Sequence, residues 1–283
     1  MTTPTRRPKT YDPKNPSATG GRLRGTQLTL AYDRREICRD LNVEIPQGKV
    51  TVIIGPNASG KSTVLRALAR LINPTDGAVL LDETDVRRYA PKEFARRLGI
   101  LPQTSTAPVG ITVSELVTRG RFPHQRALRT LTEADTRAVE HAMAATRIAE
   151  LADRPVAELS GGQRQRVWIA MLLAQQAPVM LLDEPTTYLD VSHQLEVLEL
   201  VRGLNQNDGR TIVLVLHDLN QAVVFADELI VVSQGQIVAR GTPQQVMTGE
   251  LLRDVFGIEA RILHDPELTA PVIVPLTSVA NTR

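Results

Sequence analysis

The chain has 283 residues, which by the rough prior of 100–200 residues per domain suffices for one large domain or two small ones with a well-buried core. With 42% hydrophobic and 23% charged residues, its composition is that of an ordinary globular protein and excludes disordered, collagen-like and coiled-coil readings of the whole chain. The 33 basic and 31 acidic side chains nearly cancel to +2, leaving no basic surplus for a nucleic-acid partner, and the single cysteine, Cys38, excludes an internal disulfide or a thiolate cluster.

Residues 1–21 are rich in Pro, Thr, Lys and Arg without apolar periodicity, which predicts a disordered basic arm carrying Arg6, Arg7, Lys9 and Lys14. No apolar stretch of signal-peptide length follows these charges. No run approaches the roughly 18 apolar residues needed to span a bilayer, so the expected compartment is the cytoplasm. Segments of residues 23–45 alternate and predict a small antiparallel sheet broken by a polar turn at 33–36. The β-branched run 50–54, bounded by Gly48 and Gly55, predicts a buried strand, and a helix is expected over 62–71, stopping near Asn73-Pro74. Further strands are expected at 79–81, 179–182, 211–216 and 229–232. Strands alternating with helices imply an α/β fold with a mostly parallel sheet covered on both faces. From about 112 to 157 helix formers dominate without a strand run, which predicts a helical insertion; Thr132 and Asp135 form a capping pattern at the start of its second helix.

The sharpest local motif is Gly55-Pro56-Asn57-Ala58-Ser59-Gly60-Lys61-Ser62, followed by Thr63. It fits G-x-x-x-x-G-K-[ST] between a strand and a helix. Glycines let backbone amides wrap a phosphate, the helix start adds its positive dipole end, Lys61 reaches the terminal phosphates and Ser62 offers a hydroxyl to Mg2+. The apolar run 179–182 ends in Asp183 and Glu184. Neighbouring strand residues face opposite sides, so Asp183 is expected at the metal and Glu184 at an attacking water. The stretch Leu159-Ser160-Gly161-Gly162-Gln163 opens an apolar helix with a hydroxyl and two glycines, a second candidate anion site.

With these residues the chain resembles the ATP-binding cassette (ABC) family of transporter ATPases from about residue 23 onward. LSGGQ is that family's signature and stands, in the family's order, between the phosphate loop and the strand carrying Asp183 and Glu184. The resemblance implies a P-loop NTPase core with a small antiparallel β subdomain and a helical insertion at about 104–160, in a cassette spanning 22–283 with a short C-terminal segment from about 246. By position it also implies Tyr32 as the aromatic on adenine, Gln103 as the glutamine that senses nucleotide and metal and contacts membrane subunits, Asp190 as the D-loop aspartate, and His217 as the switch histidine on the γ-phosphate. Residues 160–163 would serve the nucleotide of a second copy, so a homodimer is expected, with ATP and Mg2+ between the copies. Position 58 departs from the family's frequent glycine, which would strain the loop if a positive φ is required there, and Thr187-Tyr188 replaces its frequent Ser-Ala.

Finer likeness in Arg119-Gly-Arg-Phe-Pro-His-Gln125, LSGGQRQRVWIAMLLAQ, TTYLDVSHQ and HDLNQA points to the iron-siderophore (FepC-like) branch of importer ATPases, with haem and vitamin B12 importers as near relatives. This implies ATP hydrolysis at the cytoplasmic face of the membrane, two transmembrane permease subunits, an extracytoplasmic substrate-binding protein and no nucleic acid. A soluble ABC ATPase acting on nucleic acid or ribosomes is the alternative, though its usual second cassette or long coiled-coil insertion is absent. A small-molecule kinase would leave LSGGQ and His217 unexplained.

Overall fold

A computed structural model describes residues 22–33, 35–125, 131–265, 268 and 270–279. The expected basic arm at 1–21 lies outside the described residues. The chain forms β1 (Leu23–Tyr32), β2 (Arg35–Ile45), β3 (Val50–Ile54), α1 (Lys61–Leu68), β4 (Asp76–Leu81), β5 (Thr84–Asp85), α2 (Pro91–Arg97), β6 (Leu98–Leu101), α3 (Val113–Thr118), α4 (Glu133–Ala145) and α5 (Gly161–Ala174). It continues through β7 (Val179–Asp183), α6 (Val191–Asp208), β8 (Thr211–Val215), α7 (Leu219–Phe225), β9 (Glu228–Ser233), β10 (Gln236–Gly241), α8 (Pro243–Val246), α9 (Gly249–Phe256), β11 (Ile258–Leu263) and β12 (Val272–Ser278).

The central sheet has the order β10-β9-β3-β8-β7-β6, parallel except for β10. Every residue of β3, β7 and β8 is buried, as expected of strands covered on both faces. Alternation divides the core: Val52, Ile54, Met180, Leu182, Ile212 and Leu214 pack with α5, α6 and α7. On the opposite face Ile53, Leu181, Val213 and Val215 pack with Val64, Leu65 and Leu68 of α1 and with the antiparallel sheet β2-β1-β4-β5. Burying each such Leu, Ile or Val contributes about 1.5–3 kcal/mol.

The segment 79–81, expected among the strands between helices, belongs to β4 and pairs antiparallel with β1. The helix expected over 62–71 ends at Leu68, where Arg70 turns to φ 60. Five strands escaped the sequence reading: β5, β6, β10, and the hairpin β11-β12. β6 contains Gly99, where a Cβ would lie 2.4 Å from Leu172 Cδ1, so a glycine there lets α5 close on the sheet. Between 112 and 157 the described residues form helices joined by turns, and the strand-type pairing among them is one bridge, Thr112 to Pro155. The Thr132 hydroxyl accepts from the Asp135 amide, and Asp135 accepts from the Thr132 amide, completing the capping box of α4.

Two polar ties fix the flanks of the site. Arg121 donates to buried Asp135 (2.9 Å), to the Ala174 carbonyl (2.6 Å) and to Gln176 Oε1 (2.8 Å), joining the 3-10 turn Arg119–His124 to α4 and the end of α5. Asn220 of α7 exchanges a reciprocal pair with Ile273 of β12: Nδ2 donates to its carbonyl (3.1 Å) and Oδ1 accepts from its amide (2.8 Å). Among the described residues no helix is long and apolar enough to cross a membrane.

Candidate functional site

The sequence 55–63 forms a loop between β3 and α1. Gly55 (φ 152) and Gly60 (φ 106) hold positive φ, and a Cβ at Gly55 would lie 1.9 Å from the Val232 carbonyl oxygen, so a side chain cannot stand there. Ala58 has φ 60, the left-handed conformation foreseen as the strained case, at a cost of about 1–2 kcal/mol. Lys61 is 5% exposed and its Nζ donates to the carbonyls of Gly55 (2.9 Å) and Pro56 (2.8 Å), closing a ring with its own loop. Burial pulls its ammonium pKa down, against the pull of Glu184 and Asp183. Within the loop, Ser59 Oγ is buried without a hydrogen-bond partner among the described residues.

Alternation along β7 turns Asp183 toward α1, where Oδ1 accepts from Ser62 Oγ at 2.8 Å. Burial pushes its carboxyl pKa up, opposed first by the Ser62 hydroxyl and then by Arg66, whose Nε lies 3.7 Å from Oδ2. Oδ2 is buried and accepts no hydrogen bond from the described residues. A serine hydroxyl beside a buried, incompletely partnered carboxylate is an all-oxygen donor set, which suits Mg2+ better than a softer metal.

The chain leaves the strand at Glu184 in a left-handed conformation (φ 53), which turns the second carboxylate to the other side. Oε1 meets His217 Nε2 at 2.6 Å. Oε2 accepts from Gln103 Nε2 at 2.6 Å and from Thr187 Oγ1 at 3.2 Å. Of the three residues expected at the metal, Ser62 and Asp183 are therefore joined to each other, while Gln103 is joined to Glu184. A cleft of about 250 Å³ is lined by residues 57–63 with Arg35, Ile37, Glu184 and His217. It has the loop amides and Lys61 on one wall and the Glu184–His217 pair on the other, an arrangement able to bind a phosphate chain and present a base to water.

Tyr32 lies at the end of β1, 42% exposed, with its hydroxyl 3.5 Å from Arg66 Nη1. Sequence reasoning missed Arg66 and Thr187. Arg66 stands four residues beyond Ser62 on the same helix face, a spacing that places it near any partner of Ser62. Arg35 and Ile37 carried no local signal.

Ser160, Gly161, Gly162 and Gln163 do not line that cleft. Ser160 caps α5 in a reciprocal box with Gln163. Gly162 has no room for a side chain, since a Cβ would sit 2.5 Å from His193 Cδ2. Asp190 caps α6: its Oδ1 accepts from the His193 amide (3.0 Å) and lies 2.7 Å from His193 Nδ1, contacts that hold its carboxyl below the usual range. The LSGGQ turn and Asp190 thus form one cluster through His193.

The ABC transporter family model matches residues 38–187. The ferric enterobactin transport ATP-binding protein FepC of Escherichia coli (strain K12) is 52% identical over 259 residues, covering 92% of this chain and 96% of that protein. The iron(3+)-hydroxamate import ATP-binding protein FhuC of Bacillus subtilis (strain 168) is 47% identical, covering 91% and 96%. The dimeric structure of MJ0796, a bacterial ABC transporter cassette, superposes with a TM-score of 0.69 at 28% identity, covering 78% of this chain and 98% of that one. On a family match over more than half its length and an identity of 52% over nearly all of it, the chain belongs to the ABC transporter family as one of its ATP-binding members.

Proposed function

We propose that the chain is the ATP-hydrolysing subunit of an importer for ferric siderophores, working as a homodimer at the cytoplasmic face of the membrane beneath two permease subunits, with an extracytoplasmic binding protein delivering cargo. The observation that carries the catalytic part is the Glu184 carboxylate, held by His217 and Gln103 at 2.6 Å each on the wall facing the phosphate loop. The cargo assignment is supported by two iron-import relatives aligned over about nine-tenths of the chain.

On nucleotide arrival Lys61 exchanges the Gly55 and Pro56 carbonyls for phosphate oxygens, and the loop amides cover the remaining charge. Tyr32 offers its exposed ring to adenine. Ser62 and Asp183 are the residues that would hold Mg2+, which when bound neutralises charge on the phosphates. Glu184 takes a proton from the attacking water, His217 sets the carboxylate's orientation and faces the terminal phosphate, and Gln103 reports the occupancy of the site toward the permease. The residues of the LSGGQ turn and Asp190 close over the nucleotide of the second copy. We assign 22–283 to a single cassette, with the helical stretch at about 104–160 as its insertion.

The test is uptake of a labelled ferric siderophore by cells with and without this chain, with Glu184→Gln as the catalytic control. Loss of uptake in both the deletion and the substitution is expected. Undiminished uptake in the deletion would overturn the iron assignment while leaving the ATPase assignment in place.

A further inference from the structure

The Glu184–His217 pair separates two cavities. On one side is the phosphate-loop cleft; on the other is a cavity of about 250 Å³ lined by Thr186, Thr187, Gln194, Leu216, Asp218 and Gln221 together with that pair. Gln194 spans this second cavity. Its Nε2 donates to the carbonyls of Leu189 (2.9 Å) and Thr186 (3.4 Å), and its Oε1 accepts from Gln221 Nε2 at 2.6 Å. Gln221 belongs to α7, whose first turn is capped by Asp218, the residue after His217, through the Gln221 amide at 2.8 Å.

We propose that Gln194 is a positioning residue that couples His217 to the LSGGQ turn of the same chain, so that occupancy of one nucleotide site is felt at the surface this chain offers to the other. The proposal rests on the dimeric reading given above. The connection is continuous. A displacement of His217 moves the start of α7 and Gln221, and Gln194 carries it into the 186–190 segment by two carbonyl bonds. Leu189 lies against the turn, its Cδ2 3.6 Å from where a Cβ would stand on Gly161, and His193, held by Asp190 at 2.7 Å, packs on Gly162.

The segment is built to shift. Non-glycine residues stand in the left-handed region just before it, at Glu184 (φ 53), and within it, at Tyr188 (φ 65), and Tyr188 is 98% exposed between the turn bonds of the Thr187 and Leu189 amides. The adjoining cavity gives it room. A glutamine is suited to the task because it donates and accepts at once; a glutamate keeps the size and the acceptor for Gln221 but loses both donations.

The experiment uses the full chain with Gln194→Glu, Gln194→Ala, Gln221→Ala and the double alanine variant. The readouts are ATP binding by the monomer, steady-state hydrolysis with its Hill coefficient, and ATP-dependent dimer formation in a Glu184→Gln background. Monomer affinity is expected to stay within about twofold and kcat to fall about tenfold, with a Hill coefficient near 1. The double alanine variant is expected to lose no more than either single one. Unchanged kcat and cooperativity in Gln194→Glu, or multiplying losses in the double variant, would overturn the coupling. Loss of monomer affinity in parallel with kcat would also overturn it, by showing damage to the phosphate loop. If Glu184→Gln alone forms no ATP-dependent dimer, the dimeric reading itself fails; if it does and the Gln194 variants match it in every readout, only the coupling fails.

Discussion

Replacing Glu184 by glutamine isolates its charge from its shape. In the structure the carboxylate makes three contacts, to His217, Gln103 and Thr187, and none needs a second negative oxygen to keep its length. The amide oxygen can still accept from Gln103 and Thr187, while the new NH2 can donate to His217 in the tautomer with an unprotonated Nε2. Geometry should therefore survive, and so should binding, because Lys61 and the loop amides are untouched apart from the loss of one neighbouring charge that helps keep Lys61 protonated. What disappears is the proton acceptor. General-base catalysis is worth about 10²–10⁴ in rate, or about 3–5 kcal/mol of barrier. Steady-state phosphate release should fall by that factor, while ATP affinity measured by calorimetry stays within a few-fold of wild type. Turnover within threefold of wild type, with binding intact, would refute Glu184 as the base.

Three further outcomes follow from individual contacts. Ala58→Gly removes a left-handed cost of about 1–2 kcal/mol and adds about 0.5–1 kcal/mol of unfolded-state entropy, so thermal denaturation should show a net gain of about 0.5–1 kcal/mol, or about 1–4 °C in Tm. Because burial raises the Asp183 pKa, the ionised carboxylate disfavours the folded chain as pH rises through that raised value, so Asp183→Asn should raise the Tm of nucleotide-free protein at pH 7.5 by more than at pH 4, and should abolish the Mg2+ dependence of ATP affinity. Arg121→Ala should lower stability by about 3–5 kcal/mol in denaturant titration, since it strands buried Asp135. Burial alone would raise the Asp135 pKa, but the Thr132 hydroxyl and amide and the Arg121 guanidinium hold it low, so wild type should lose this increment as pH falls through that depressed value, below the ordinary carboxylate range.

Local chemistry made much of this molecule legible. The run Val50–Ile54 is apolar at every position but Thr51, so its burial on both faces could be read directly. The Thr132 and Asp135 spacing announced its cap, and the order of glycines around Lys61 announced the loop. What could not be read depends on distant partners. β6 is four residues long and contains a glycine, a weak strand pattern, and is held by its parallel pairing with β7. β10 exposes alternate residues, β12 is exposed throughout Val274–Ser278, and both owe their pairing to neighbours. The same applies at the site: the bonds from Ser62 to Asp183 and from Gln103 to Glu184 span 121 and 81 residues, and no spacing rule reaches that far.

The reciprocal amide pair between Asn220 and Ile273 gives the last strand a mechanical task. Helix α7 begins two residues after His217, and β12 moors it at Asn220 while Gln221 bonds Gln194. A protein shortened before Val272 would keep every residue named around the phosphates and still swing its histidine on a looser pivot. The tail is thus a strut, and trimming it should blunt turnover before it weakens the grip on nucleotide.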